Sequence, residues 1–385
     1  MNVITTTRAL QDFCDASSSY DFVTVDTEFL RESTYWPKLC LIQAAHTDDA
    51  VIIDPLAAGL DLTPFYELLA NEGVVKVFHA ARQDIEIFVR STGKVPHPCF
   101  DTQIAASVCG YGDSASYDSL VRAICDGQVD KSSRFTDWSV RPLSEKQLTY
   151  ALADVTYLRD IYLHLKSKLG DKGRAEWVAD DNEILSSVET YVVDPKAVWR
   201  RIKARIHKPR DLAALMKLAE WRELKAQAND QPRGRILKDD AIAELAIQRP
   251  KDAAGFEKLR AVPRGFGRSP SASEILSIIE KVEAQPKDSL PELPARALGP
   301  SPKGPIGDLL RVLLKSVAEQ NGVASRIIAT SDDIDAIVIS DDADVPALTG
   351  WRRRIFGEKA LAIKHGKLAL AANRKGVIEI DVTQS

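Results

Sequence analysis

Phe22-Val23-Thr24-Val25-Asp26-Thr27-Glu28-Phe29 is the stretch on which the reading of this chain turns. Its first half is apolar or β-branched, the composition of a buried strand, and it ends in two carboxylates, Asp26 and Glu28, two positions apart. Side chains alternate along a strand, so both acids leave the same face. Like charges held together repel, and burying them is costly unless a cation neutralises them. Taken alone, the pair fits a solvent-exposed strand end equally well.

Working outward, Lys38–Ala45 and Ala50–Pro55 are two further short apolar runs, separated by the turn His46-Thr47-Asp48-Asp49. The three runs read as a meander of antiparallel strands. The pattern then changes: Leu62–Glu72 is helical, Val74–His79 a strand, Gln83–Thr92 a helix, and Phe100–Val108 begins another strand–helix step. Such an order predicts a mixed, five-stranded sheet flanked by helices. From Tyr117 to about Thr190 the chain reads as helical, with Ser144 and Gln147 forming a capping box and Val192-Val193-Asp194-Pro195 ending the run.

Three more residues join the acidic pair. Asp84 sits near the start of a helix in His79-Ala80-Ala81-Arg82-Gln83-Asp84, where the helix macrodipole alone would explain it. Tyr150 and Asp154 are four apart, hence on one helix face. Carboxylates are hard oxygen ligands for Mg²⁺ or Mn²⁺, and a cluster of them is the usual way to hold two metal ions around a phosphodiester.

A chain of 385 residues predicts two or three domains, and 45% hydrophobic with 28% charged residues is the composition of a folded protein rather than a disordered one. No apolar run approaches the roughly 20 residues of a membrane span, and the N-terminus lacks the pattern of a signal peptide. The five cysteines are widely spaced without a C-x-x-C pair, which predicts buried free thiols in a reducing cytoplasm rather than zinc ligands or disulfides. Net charge is −4, yet residues 200–300 hold 21 Lys and Arg against 14 Asp and Glu, a surplus of 7. A basic module joined to an acidic one suits a polyanion binder attached to a metal-binding enzyme.

That basic stretch reads as helices over 211–228, 238–249 and 253–260, with Ser271 or Ser273 capping a last one to about Ala284. Residues 286–305 hold six prolines and read as an extended linker. Helices at 307–320 and 324–338, and an extended tail at 376–381, make a third unit.

The full set, a strand Asp-x-Glu, an Asp at a helix start and a helical Tyr-x-x-x-Asp, resembles the DEDD exonuclease superfamily, and Tyr150 points to its DEDDy branch. Leu41-Ile42-Gln43, Phe78-His79-Ala80, Phe100-Asp101-Thr102-Gln103 and Trp138-Ser139-Val140-Arg141-Pro142-Leu143 are similar to the ribonuclease D family. The likeness covers roughly residues 1–170; 200–285 resemble the HRDC domain, and 306–381 more weakly a second domain of that type. The resemblance implies an α/β ribonuclease H-like exonuclease domain over 1–192, then two small all-α HRDC-type domains over 200–285 and 306–381, with the linker 286–305 between them. It implies that Asp26, Glu28, Asp84 and Asp154 hold two divalent ions, Mg²⁺ or Mn²⁺, and that Tyr150 orients the attacking water. The implied activity is 3′→5′ exoribonuclease action on RNA with a free 3′ end, transfer RNA precursors above all, in the cytoplasm, releasing nucleoside 5′-monophosphates. No membrane and no obligate protein partner are indicated. The same residues leave open a DNA exonuclease of repair type, and the fold alone leaves open a non-catalytic RNA binder. Gln83 stands where an acid can occur in the second motif, leaving Asp84 as its one candidate ligand.

Other residues carry alternatives. Thr27 lies between the two acids as a substrate contact. Phe29 could stack on a terminal base, though alternation turns it toward the core. His79 could meet a substrate phosphate or bond within the core, and Gln103 could touch the substrate backbone or cap a helix. Trp138 and Arg141 are candidates for an active-site flap, with domain packing as the other reading of Trp138. Arg233 and Arg235, in Asn229-Asp230-Gln231-Pro232-Arg233-Gly234-Arg235-Ile236, are candidate phosphate contacts or solvated charge. Lys203, Arg205, Lys208 and Arg210 form another basic stretch, and Trp351-Arg352-Arg353-Arg354 a third.

Overall fold

The strand that carries Asp26 and Glu28 lies inside a six-stranded mixed sheet. The computed structural model describes residues 2–293, 304–374 and 376–382. The strands are β1 (Val3–Ile4), β2 (Phe22–Leu30), β3 (Lys38–Ala45), β4 (Ala50–Ile53), β5 (Val75–Phe78) and β6 (Cys99–Asp101), in the spatial order β1-β4-β3-β2-β5-β6. The expected meander is present, β2 and β4 each running antiparallel to β3, whereas β5 pairs parallel with β2. A sheet of five strands was expected. The sixth, β1, is two residues long and pairs parallel with Ile52 and Ile53, too short to leave a periodic signal.

Among the described residues, seven α-helices surround the sheet: α1 (Thr7–Ser17), α2 (Thr63–Ala70), α3 (Arg82–Thr92), α4 (Thr102–Cys109), α5 (Tyr117–Cys125), α6 (Glu145–Asp171) and α7 (Ala175–Ser186). Helix α6 begins with the expected capping box of Ser144 and Gln147. It buries Ala151, Asp154, Val155, Leu158, Ile161, Tyr162 and Leu165 at spacings of three and four, the apolar stripe of a helix laid on a sheet. The Thr24 hydroxyl on β2 donates to the Val155 carbonyl at 2.9 Å, which fixes the helix's register over the strand.

The basic middle stretch folds into α8 (Pro209–Ala228), α9 (Arg233–Ile236), α10 (Asp239–Gln248), α11 (Ala253–Phe256) and α12 (Pro270–Glu283), packed around Leu218, Ile242 and Ile279. Ser269 caps α12, with Pro270 at its first position, rather than Ser271 or Ser273. A proline belongs there because its missing N–H has no partner in a first turn.

The C-terminal unit comprises α13 (Pro305–Asn321), α14 (Ser325–Ile328), α15 (Ser331–Ile339) and a helical stretch over 350–364 (α16) whose middle, Arg353–Gly357, is π-helical. The single helix expected over 324–338 is two, because Thr330 starts a new one with its own capping box. Nor is this unit all-α: β7 (Leu368–Asn373) and β8 (Gly376–Asp381) form an antiparallel hairpin. Of the expected linker, 294–303 lie outside the described residues, and Pro305 already belongs to α13.

This unit docks on the sheet domain. Trp351 of α16 stacks on Trp177 of α7 with ring centroids 4.2 Å apart and planes 2° from parallel. Such a pair contributes about 0.5–1.5 kcal/mol beyond its buried area. Gly110 ends α4 at positive φ, and a Cβ there would stand 2.6 Å from the Gly322 carbonyl oxygen, so the two backbones touch because Gly110 has no side chain. Of the basic patch read from Trp351 to Arg354, Arg354 crosses the interface to pair with Glu176, whereas Arg352 is buried inside its own unit and donates to the Ile327 carbonyl at 2.7 Å.

Candidate active site

Strand β2 delivers Asp26 and Glu28, and helix α6 lowers Asp154 between them. Oxygens of the three carboxylates all lie within 4.8 Å of one another. Asp84, at the start of α3, completes the set from the side and accepts a short hydrogen bond from the Thr27 hydroxyl. The loop that aims Asp84 is itself held by Asp101, whose carboxylate accepts the backbone N–H groups of Ala80 (3.0 Å), Ala81 (2.9 Å) and Gln103 (2.7 Å). One acid thus shapes the starts of both α3 and α4, so Asp101 is a structural member of its motif.

Burial, followed by the charges of Asp84, Asp154 and Glu28, holds Asp26 well above the usual carboxylate range. Burial and the charges of Asp154 and Asp84 push Glu28 up to about 9. Asp84 is raised to about 7 by burial, against the opposing pull of its bond from Thr27, and Asp154 to about 7 by burial, against the Tyr150 hydroxyl and the Arg134 charge. Tyr150 lines the same cleft as Asp154, and burial with three nearby carboxylates keeps its phenol protonated. Among the described residues no Lys or Arg comes within ion-pair distance of these acids. Hard oxygen donors, mutual repulsion and no paired cation are what a divalent-ion site requires.

The carboxylates form the floor of a cleft of about 440 Å³, within the ~300–1,000 Å³ usual for ligand sites. Phe29 is half-buried on its wall, not in the core. The β2–β3 register slips between Glu28 and Phe29, and the added twist ends strict alternation. His79 lines the cleft with its Nδ1 3.0 Å from the Thr102 hydroxyl, and burial holds the imidazole below its ordinary range, hence neutral. Gln103 also lines it, donating to the Ala115 carbonyl at 3.2 Å; its backbone N–H is capped, and the cap is Asp101. Gln83 faces the same space beside Asp84.

Four other expected contacts lie elsewhere or differ. Trp138 is 2% exposed, packed beside Tyr150 with ring centroids 6.0 Å apart, and forms the core behind the site rather than a flap. Arg141 clamps Asp54 with two hydrogen bonds of 2.7 Å and spends further donors on the carbonyls of Trp138, Val140 and Cys40. Its guanidinium is consumed inside the protein. Arg233 is likewise engaged, binding Glu223 through two nitrogens and the Tyr35 hydroxyl at 3.0 Å. Arg235 is exposed, on α9 and outside the cleft. Among the other basic residues, Arg210 is taken up by the carbonyls that end α12. Sequence reading missed Tyr117, Lys131, Arg134 and Phe135, all on the cleft wall.

Residues 1–170 match the 3′-5′ exonuclease family, and 211–279 match the HRDC domain. The chain is 48% identical over 381 residues to ribonuclease D of Nitrobacter hamburgensis, covering 99% of this chain and 100% of that one. It is 47% identical to ribonuclease D of Jannaschia sp. over 385 residues, again 99% and 100% of the two chains. The crystal structure of Escherichia coli RNase D, described as an exoribonuclease involved in structured RNA processing, superposes with a TM-score of 0.84 at 28% identity, covering 95% and 99%. The family's chemistry depends on divalent metal ions, and its members act on RNA. The chain belongs to the ribonuclease D family and is a 3′→5′ exoribonuclease.

Proposed function

We propose that this enzyme trims transfer RNA precursors, removing nucleotides singly from the 3′ end as nucleoside 5′-monophosphates. The observation that carries the site assignment is the convergence of Asp26, Glu28 and Asp154 within 4.8 Å, with Tyr150 on the wall of the same cleft. Asp26, Glu28 and Asp154 would hold one divalent ion, Mg²⁺ or Mn²⁺, and Asp26 with Asp84 a second. When bound, such ions lower the pKa of water and offset charge on the attacked and departing oxygens.

The chain's own groups supply the rest. Thr27 fixes Asp84 by its hydroxyl, so the side acid keeps one orientation. Tyr150, protonated, donates a hydrogen bond and orients water rather than removing its proton. His79, neutral on the cleft wall, and Phe29 and Gln103 beside it, would border the last nucleotide. The units over 200–285 and 306–381, both HRDC-like in this reading, would hold the body of a structured RNA while residues 1–192 cut. A cytoplasmic setting suits the five free cysteines.

A gel assay of 5′-labelled RNA and DNA oligonucleotides, with Mg²⁺ or EDTA and beside Asp26→Ala, tests this. A metal-dependent ladder shortening from the 3′ end of RNA and absent in the variant is expected. Equal ladders in the variant would remove the carboxylates from the mechanism, and a preference for DNA would overturn the substrate assignment. A precursor transfer RNA left whole beside a digested linear RNA would overturn the assigned precursor.

A further inference from the structure

Between α5 and Trp138 the chain crosses the mouth of the cleft, held firmly at both ends. Asp130 caps the turn Lys131–Ser133 by accepting the Ser132 N–H at 2.9 Å, and Ser133 is buried. On the far side Thr136 bonds back to the Ser133 carbonyl and accepts from Gln147 of α6 at 3.2 Å, just before buried Trp138. Two side chains between these anchors are left outward, Arg134 and Phe135, and both line the cleft that ends in the carboxylates.

Phe135 is 90% exposed, more than any other large apolar side chain among the described residues. An aromatic ring held in water by an anchored turn, over a cleft, presents a binding face rather than a packing one. Arg134 lies with its guanidinium carbon 5.2 Å from that ring's centroid, and among the described residues no carboxylate pairs with it. The neighbouring cation Lys131 differs, being bound to Asp118 at 2.9 Å, which also takes Arg122 at 2.6 Å. Arg134 is close enough for its charge to act on both Glu28 and Asp154. A polyanion entering a site floored by four acids needs such a charge at the mouth, because its phosphates and the carboxylates repel.

We propose that Phe135 and Arg134 grip the end of single-stranded RNA, the ring stacking on a terminal base and the guanidinium countering the phosphate that approaches the acids. The proposal rests on the exoribonuclease reading of the cleft and adds two binding residues to it. Stacking is sequence-tolerant, since every base has a π face, and it suits an enzyme that must accept whichever nucleotide comes next.

The test uses the full-length enzyme, a 5′-labelled oligoadenylate and its oligouridylate counterpart. Steady-state kinetics are read with Mg²⁺, and anisotropy gives binding in EDTA. Phe135→Ala is expected to raise KM and Kd roughly 5- to 100-fold, the spread found for one base–aromatic stack, more for the purine strand, and Phe135→Trp to restore both. Its kcat should stay within about two-fold of the parent's, as removal of uniform binding requires. Arg134→Gln should lower the salt slope of RNA binding by about 0.7, the share of one phosphate on a single strand. Unchanged melting shows that the exposed position has not unfolded the protein. A parent that forms the ladder while Phe135→Ala keeps the parental KM and Kd would overturn the grip alone. A parent that forms no ladder on RNA would overturn the exoribonuclease reading and the grip with it.

Discussion

Two acidic centres in this molecule behave oppositely. In the cleft, Asp26, Glu28, Asp84 and Asp154 stand together with no paired cation, and all are shifted toward the protonated form. At the junction of the sheet domain and the HRDC unit, Glu223 is 0% exposed, yet it sits below the usual carboxylate range. Burial pushes Glu223 up, but two nitrogens of Arg233, the Tyr35 hydroxyl and Gln227 together pull it further down. Asp230 reinforces the same junction by accepting the N–H groups of Tyr35 (3.1 Å) and Trp36 (2.9 Å). One centre is satisfied within the chain and therefore structural; the other is left unsatisfied and fits a ligand that the chain does not supply.

That contrast breaks most sharply under substitution. Asp26→Asn should lose activity by about 10²–10³-fold or more in kcat, the scale for removing one electrostatic stabiliser of a transition state. The same change relieves repulsion in the metal-free protein, so its melting temperature in EDTA should rise, by about 2–4 °C for each kcal/mol gained. Activity and stability measured on one preparation decide the point. An Asp26→Asn protein less stable than its parent would mean that the cluster is internally compensated after all.

Glu223→Leu should do the reverse. Removing one partner of a buried pair costs about 3–5 kcal/mol, and Arg233, partly exposed, recovers some of that by rehydration, which places the loss near 3 kcal/mol. Denaturant unfolding measures it. The kcat on a short oligonucleotide should hold, since the junction touches none of the cleft acids, while long structured substrates should bind more weakly. A fall in kcat on the short substrate equal to that of Asp26→Asn would erase the distinction between the centres.

How much of this was legible in the chain follows from distance along it. Asp26 and Glu28 announce themselves because period two fixes their shared face, and Tyr150 with Asp154 because four residues make one helical turn; such local rules survive any tertiary context. Asp84 required the motif as a whole. Arg141 reads as a candidate substrate contact because its partner Asp54 lies 87 residues away, and Arg233 because Glu223 and Tyr35, 10 and 198 residues away, match no helical or strand spacing. Phe29, a candidate for the base stack, leans toward the core on alternation alone, and a register slip of one residue on β3 keeps it on the cleft wall. Phe135 did leave a signal, a lone aromatic between polar residues in the loop 130–137, but only the fold shows that this loop overhangs the acids.

Proton linkage sharpens the comparison further. In the metal-free protein the cleft acids titrate at about 7 for Asp84 and Asp154 and about 9 for Glu28. Unfolded, they titrate near 4, so between about pH 4 and 9 the folded state holds more protons, and its stability falls as pH rises. Glu223, shifted down, contributes stability that is present above about pH 4.3 and lost only as acid protonates it below that. Melting in EDTA should therefore decline from pH 5 to 9 in the parent and less steeply in Asp154→Asn, whereas Mg²⁺ should flatten the parental slope. A slope indifferent to both the substitution and the ion would show that the cleft acids do not titrate with the metal.

Tyr150 offers the smallest of these effects and the finest discrimination. Its hydroxyl is held protonated by burial and by the charges of Asp154, Glu28 and Asp26, so it is a donor in the functional pH range. Tyr150→Phe removes the hydroxyl proposed to orient water but leaves every carboxylate in place, which should lower kcat roughly 10- to 100-fold, less than Asp154→Ala. The same hydroxyl pulls Asp154 down, and without it Asp154 must rise. Metal binding needs that acid ionised, so the acidic limb of the pH–rate profile should move to higher pH in Tyr150→Phe. A loss as deep as that of Asp154→Ala, with the limb unmoved, would make the phenol the base that takes the proton, and the acids alone would no longer account for the water's activation.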